Sequence, residues 1–157
     1  MAFKDWKPWQ KGVTVAVGIL LLLYAVFIAL AVPSNGTKVH AYAEVGTLSD
    51  GSMYFKCDAA RSTPGSCEDG NAMQARFHVH KGDRFTLTVT STDGGGRAHD
   101  VKMDGLAYFL PPARLEMELH KPTESRTITA WMEGTFKVKC ELKGHDGKGM
   151  HATLVVE

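Results

Sequence analysis

The sequence lacks a surplus of either charge: 18 Lys and Arg face 17 Asp and Glu, for a net charge of +1. A near-neutral chain has no basic footprint for nucleic acid, so that class of partner is set aside. It has no internal repeat. Beyond residue 32 it has no run with a helical period. Cysteine is scarce, with only Cys57, Cys67 and Cys140. That allows one pair and one thiol left over. A length of 157 residues suits one small domain with an appendage.

What is present begins with a single long apolar run. Val13 to Val32 carries no charge and is broken only by Thr14, Gly18 and Tyr24. As a helix it would span roughly 30 Å, the thickness of a bilayer core. Trp6 and Trp9 stand just before it, where aromatic belts sit. Lys4, Lys7 and Lys11 precede it against a single Asp5, so the positive-inside rule orients it. The reading is a cytoplasmic N-terminus over 1–12, a transmembrane anchor over 13–32 and a linker over 33–38. An extracytoplasmic domain over 39–157 follows, making a single-pass protein of the cell membrane. Ala29-Leu30-Ala31 fits a signal-peptide cleavage site, but the run is longer than a usual signal core, which favours a retained anchor. Without the four N-terminal charges the rest has 15 basic and 16 acidic residues, net −1.

The most informative stretch is Cys140-Glu141-Leu142-Lys143-Gly144-His145-Asp146-Gly147-Lys148-Gly149-Met150. It places a thiol, an imidazole and a thioether at C-x4-H-x4-M spacing. Thr135 to Cys140 alternates with period two, so Phe136, Val138 and Cys140 share one face and Lys137 and Lys139 the other. Cys140 then points inward from a strand end, and a loop with three glycines can bend back over its sulfur. Residues 151–157 read as a closing strand. Copper that shuttles one electron takes a soft thiolate, imidazole nitrogens and a weak axial thioether. This loop offers one of each. His99 is the candidate for the second imidazole.

These residues resemble a known family. Cys140-x3-Gly144-His145-x3-Gly149-Met150, ahead of a valine-rich strand, is similar to the ligand loop of rusticyanin and of membrane-anchored sulfocyanins. Both are blue (type 1) copper proteins of the cupredoxin family. The resemblance covers roughly Phe77 to Glu157. It implies an all-β Greek-key sandwich and one type 1 copper held by His99, Cys140, His145 and Met150. It also implies single-electron transfer rather than enzymatic turnover, in a respiratory chain, to or from redox partners such as a terminal oxidase. The place of His99, after a strand and the Gly94-Gly95-Gly96 turn, matches the family's first copper histidine. One position departs. The family often ties the residue after that histidine to the residue after the cysteine. Here these are Asp100 and Glu141, two carboxylates that cannot bond directly unless one is protonated or each finds another donor.

The rest of the chain reads as strands. Val39–Val45 opens the domain. An inserted loop covers 46–73 and holds Cys57 and Cys67, close together in an oxidising compartment. That favours a disulfide between them, since no histidine lies between to suggest a second metal site. Gln74–His80 turns Phe77 and Val79 inward. Its outward His78 and His80 are read as solvated rather than ligating. Asp83–Ser91 turns Phe85, Leu87 and Val89 inward and Thr86, Thr88 and Thr90 outward. His99–Met103 follows. Leu106–Pro112 is an apolar loop, either core or a rim near the metal. Arg114–Leu119, Glu124–Trp131 and Thr135–Cys140 complete the set. Met103, Met117 and Met132 fit the core. About eight strands follow one transmembrane helix.

Two rival functions are weighed. An accessory subunit II-like cupredoxin subunit of an oxidase would share the anchor and the sheet. A binuclear copper centre, however, needs a second cysteine in the loop, where Lys143 stands. A copper oxidase or carrier would need further histidine or methionine clusters, and only His78 and His80 come close.

Overall fold

The computed structural model describes residues 8–31, 36–93, 99–103, 115–119 and 121–157; within the helix, side chains are described at 13–24 and 26. The chain divides into two units, Met1–Pro33 and Ser34–Glu157.

The first unit holds the helix α1 (Pro8–Ala31). Among the described residues no helix is long and apolar enough to cross a membrane. The expected transmembrane span over 13–32 is thereby overturned, and with it the single-pass membrane location. Trp6, Lys4, Asp5 and Lys7 lie outside the described residues, as do the side chains of Trp9, Lys11 and Ala29 to Ala31.

Among its described residues the second unit is all β, with ten strands rather than about eight. They are β1 (Lys38–Thr47), β2 (Met53–Cys57), β3 (Cys67–Asp69), β4 (Ala75–Val79), β5 (Arg84–Ser91), β6 (His99–Met103), β7 (Glu116–Leu119), β8 (Thr123–Thr129), β9 (Gly134–Cys140) and β10 (His151–Val156). They form a four-stranded sheet, β2-β1-β5-β8, and a six-stranded sheet, β3-β4-β10-β9-β6-β7. Most neighbours are antiparallel. β1 with β5 and β4 with β10 are parallel. The two additional strands, β2 and β3, come from the stretch read as an inserted loop.

The faces follow the alternation. Phe85, Leu87 and Val89 are buried, as are Phe77, Val79, Leu115, Met117 and Leu119. Phe77 of β4 meets Phe55 of β2 edge-on at 6.1 Å and Phe85 of β5 at 5.8 Å, so one ring from the larger sheet packs against two from the smaller. On the outer face of β5, Thr86, Thr88 and Thr90 pair with Thr127, Ser125 and Thr123 of β8 at 2.8, 2.9 and 3.1 Å. Cross-strand hydroxyl pairs of this kind fix register. Thr88 is thereby covered rather than solvent-facing.

Cys57 and Cys67 form the expected disulfide. It joins the end of β2 to the start of β3, which are edge strands of different sheets. Closing so short a ring stabilises by roughly 2.5–3 kcal/mol in the loop-entropy account. Here it also pins two edges that have a partner on one side only. The Gly94–Gly96 turn, the Leu106–Pro112 loop, Arg114 and the first half of the linker lie outside the described residues.

Candidate metal centre

The centre is built where β6 and β9 run side by side. Their register sets Val101 opposite Cys140 and Met103 opposite Val138. His99 opens β6 and Cys140 closes β9, so the pairing alone brings the histidine to the cysteine. Both are 1% exposed. The ligand loop then turns back. Gly144 has φ +85° and Gly149 φ +104°, a region costly for residues with a side chain. Gly149 is constrained twice, because a Cβ there would stand 2.7 Å from the Met53 carbonyl of β2. Between them Asp146–Lys148 makes one 3-10 turn. The carbonyl of His145 accepts from Lys148 N–H and Met150 N–H, both at 3.1 Å, which fixes the backbone on which the ring stands.

As a result one nitrogen each of His99 and His145 and the Cys140 sulfur all lie within 4.8 Å of one another. The Cys140 Sγ to His145 Nδ1 distance is 3.4 Å, and the two rings are 5.5 Å apart. Met150 is fully buried. Its carbonyl accepts from the Cys140 N–H at 3.2 Å, so the loop's last residue sits beside its first. The sequence-predicted His99, Cys140 and His145 are thus assembled in one place, with Met150 adjacent through the backbone.

The surroundings orient these groups. The Asp100 N–H donates to the Cys140 sulfur at 3.4 Å, and the Glu141 N–H donates to the Asp100 carbonyl at 2.9 Å. The two loops are therefore tied through the backbone. Their carboxylates are handled separately. Lys102 Nζ lies 2.8 Å from Glu141, 3.4 Å from Asp100 and 3.4 Å from Glu116. Each acid has found another donor. Asp93 stands 3.4 Å from His99 Nε2 and is held by the Thr47 N–H and hydroxyl at 2.7 and 3.0 Å. On the far side of the loop, Asp146 pairs with Lys137 at 2.7 Å and His151 at 3.2 Å. Lys137 holds the Asp146 carboxyl below its usual range. Burial pushes the Cys140 thiol up, while N–H donation from Asp100 and Leu142 opposes that rise.

Solved proteins share this fold. Reduced rusticyanin superposes with a TM-score of 0.50 at 16% identity, over 78% of this chain and 81% of that one. The fold is cupredoxin-like. Rusticyanin from Thiobacillus ferrooxidans gives 0.47 at 17% identity, over 78% and 79%. A multicopper oxidase gives 0.42 at 15%, over 78% of this chain and 38% of its own. No protein-family model and no curated protein matches the chain. At these identities the shared property is the fold.

The donors of this cupredoxin-like domain fit a copper ion. Metal–nitrogen and metal–sulfur bonds of about 2.0–2.3 Å need donors a few ångströms apart, and His99, Cys140 and His145 meet that. Two imidazoles and a thiolate are the donor types of a blue copper site. Among the described residues no other group of three metal-ligating side chains occurs. His78 faces Glu68 at 3.3 Å and Glu157 at 4.0 Å, and His80 faces Asp83 at 3.7 Å. Both lie beside carboxylates, and neither belongs to a three-ligand group among the described residues.

Sequence reasoning missed Asp93, Lys102 and Met53. Lys102 had a signal. It lies two residues beyond Asp100, so period two puts it on the same face as the carboxylate whose donor was lacking. Asp93 and Met53 had none, because their roles depend on packing between distant segments.

Proposed function

We propose that this chain is a mononuclear type 1 copper protein that carries single electrons and is not an enzyme. His99, Cys140 and His145 would hold the metal, with Met150 as the weak axial donor. The observation that carries this reading is the convergence of buried His99 and Cys140 with half-buried His145. When bound, copper supplies a one-electron couple. The protein's residues do the rest. His99 and Cys140 sit on paired strands of a rigid sandwich, so the donors keep their places whichever charge they face. Burial excludes water from the thiolate. The Asp100 N–H on the sulfur draws charge from it, and the Asp93 carboxylate sets a negative charge against the His99 ring at 3.4 Å. The likeness to sulfocyanin rests on the spacing of the ligand loop.

Copper per chain and the visible spectrum test this directly. One copper with an intense thiolate-to-metal band is expected. Two coppers per chain, or a colourless loaded protein, would refute it.

Electrons would pass through the ligand-loop end to a redox protein such as a terminal oxidase. His145 is partly exposed there while Cys140 is not. Leu142 is 37% exposed, and Lys143 and Lys148 are exposed beside it. The neighbouring acids Glu141 and Asp146 already face Lys102 and Lys137. The two loop lysines therefore give this end a positive face, which suits an acidic partner. Reversing both, Lys143→Glu with Lys148→Glu, is expected to slow association roughly tenfold or more at low salt and to flatten its salt dependence. The spectrum should stay unchanged. Equal stopped-flow rates in the double variant would place docking elsewhere. Tyr108 and Phe109, expected to add to a dry contact, lie outside the described residues.

A further inference from the structure

The charges behind the metal centre are unusual in their arrangement. On the outer face of β6, Asp100 lies opposite Glu118 of β7, and Lys102 lies opposite Glu116. Glu141 comes onto the same face from β9, and Lys139 stands opposite Lys102 there. Asp100, Glu116 and Glu141 thus gather around Lys102, beside the strand ends that carry His99 and Cys140. Lys102 is the hub. Its side chain is only 16% exposed, and it reaches Glu141 at 2.8 Å, Asp100 at 3.4 Å and Glu116 at 3.4 Å.

These contacts fall at a mechanically sensitive point. Asp100 and Glu141 directly follow His99 and Cys140 in the chain. They carry the two backbone bonds that join the ligand-bearing segments: Asp100 N–H to the Cys140 sulfur, and Glu141 N–H to the Asp100 carbonyl. Side chains that repelled each other here would pull those bonds apart. An ammonium between them draws them together.

We propose that Lys102 is a positioning residue for the metal centre: by clamping Asp100 to Glu141 it keeps the Asp100 N–H on the Cys140 sulfur and raises the centre's reduction potential. The part concerning the potential rests on the blue-copper reading, whereas the clamp itself does not. Two effects act in the same direction. The ammonium offsets carboxylates whose field would favour the more oxidised ion. The N–H bond it protects withdraws electron density from the thiolate, which also favours the reduced ion. Lysine is fitted to this task as a point charge with three donors that can reach three acids at once.

The test uses the full chain with Lys102→Met, Lys102→Gln and Lys102→Arg. In the metal-free protein, hydrogen exchange at the Asp100 and Glu141 amides is expected to speed up tenfold or more in the Met and Gln variants. Arg should keep it near the wild-type rate. In the copper-loaded protein the Met and Gln variants should lower the potential by about 59 mV, a tenfold change in the one-electron equilibrium, with Arg restoring most of it. Gln is included because it keeps hydrogen-bonding capacity if Met does not fold. Unchanged amide exchange in both neutral variants overturns the clamp. Faster exchange with an unmoved potential overturns its role in tuning. A wild-type chain that forms no coloured copper site would defeat the blue-copper reading, and the amide result would still decide the clamp.

Discussion

Replacing Cys140 with serine is expected to abolish the intense visible band of the copper-loaded protein while leaving the sandwich folded. Cys140 is the one thiol outside the disulfide, and it is buried. Its sulfur meets the Asp100 N–H and His145 Nδ1, each at 3.4 Å. A serine hydroxyl can use both neighbours, so its buried oxygen is not left unsatisfied, which would cost about 1–3 kcal/mol. It is, however, a hard donor that stays protonated at neutral pH, so soft thiolate ligation is lost. Absorbance during copper titration, alongside circular dichroism, checks both halves. Colour that survives the substitution would exclude Cys140 as the thiolate ligand. A pH dependence accompanies this. Burial raises the thiol pKa, and the metal takes the thiolate, so loading releases a proton. Copper affinity should therefore fall as pH falls below the thiol's raised value, by up to about tenfold per pH unit. The serine variant should lose that component.

Met150 is expected to control the potential. It is fully buried, and its backbone bonds to Cys140 and His145 hold it at the centre. A thioether binds Cu(II) weakly, whereas an amide oxygen stabilises it. Met150→Gln should lower the reduction potential and Met150→Leu should raise it. A shift of about 60 mV or more is expected each way, since 59 mV is a tenfold change for one electron. Cyclic voltammetry of the three proteins checks this. Potentials that coincide would remove Met150 from the ligand set.

Local alternation made much of this fold legible. β5, β7 and β9 stand close to where period two put them, with the expected faces inward, and β6 stands where a short strand was expected. β2 also alternates, with Met53, Phe55 and Cys57 buried, but it is embedded among Gly, Ser and Asp and was read as loop. β3 has three residues, too few to show any period. The parallel partners of β1 and β10 leave no local trace, because they depend on which strands meet across the sandwich. The apolar run over 13–32 was legible as apolar, but the membrane span inferred from it did not hold. The grouping of Cys140 with His145 was legible because one short loop carries both, and the structure adds His99 to them. The acid–lysine network was not, because Glu116, Lys102 and Glu141 meet only through the register of β7, β6 and β9.

The position of β10 has a consequence for how the molecule comes together. In chain order it is the last strand, yet in space it lies near the middle of its sheet, between β4 and β9. Until it is in place, the strand that presents Cys140 has no neighbour on that side, and the sheet is two fragments with open edges. Such edges are templates for pairing with other chains. Contacts this far apart in sequence also form slowly. During synthesis, therefore, the Cys140 thiol is carried on an unfinished edge, and its surroundings close only after β10 has been made. The interval before closure is when this protein is most exposed to aggregation and to a mispaired cysteine.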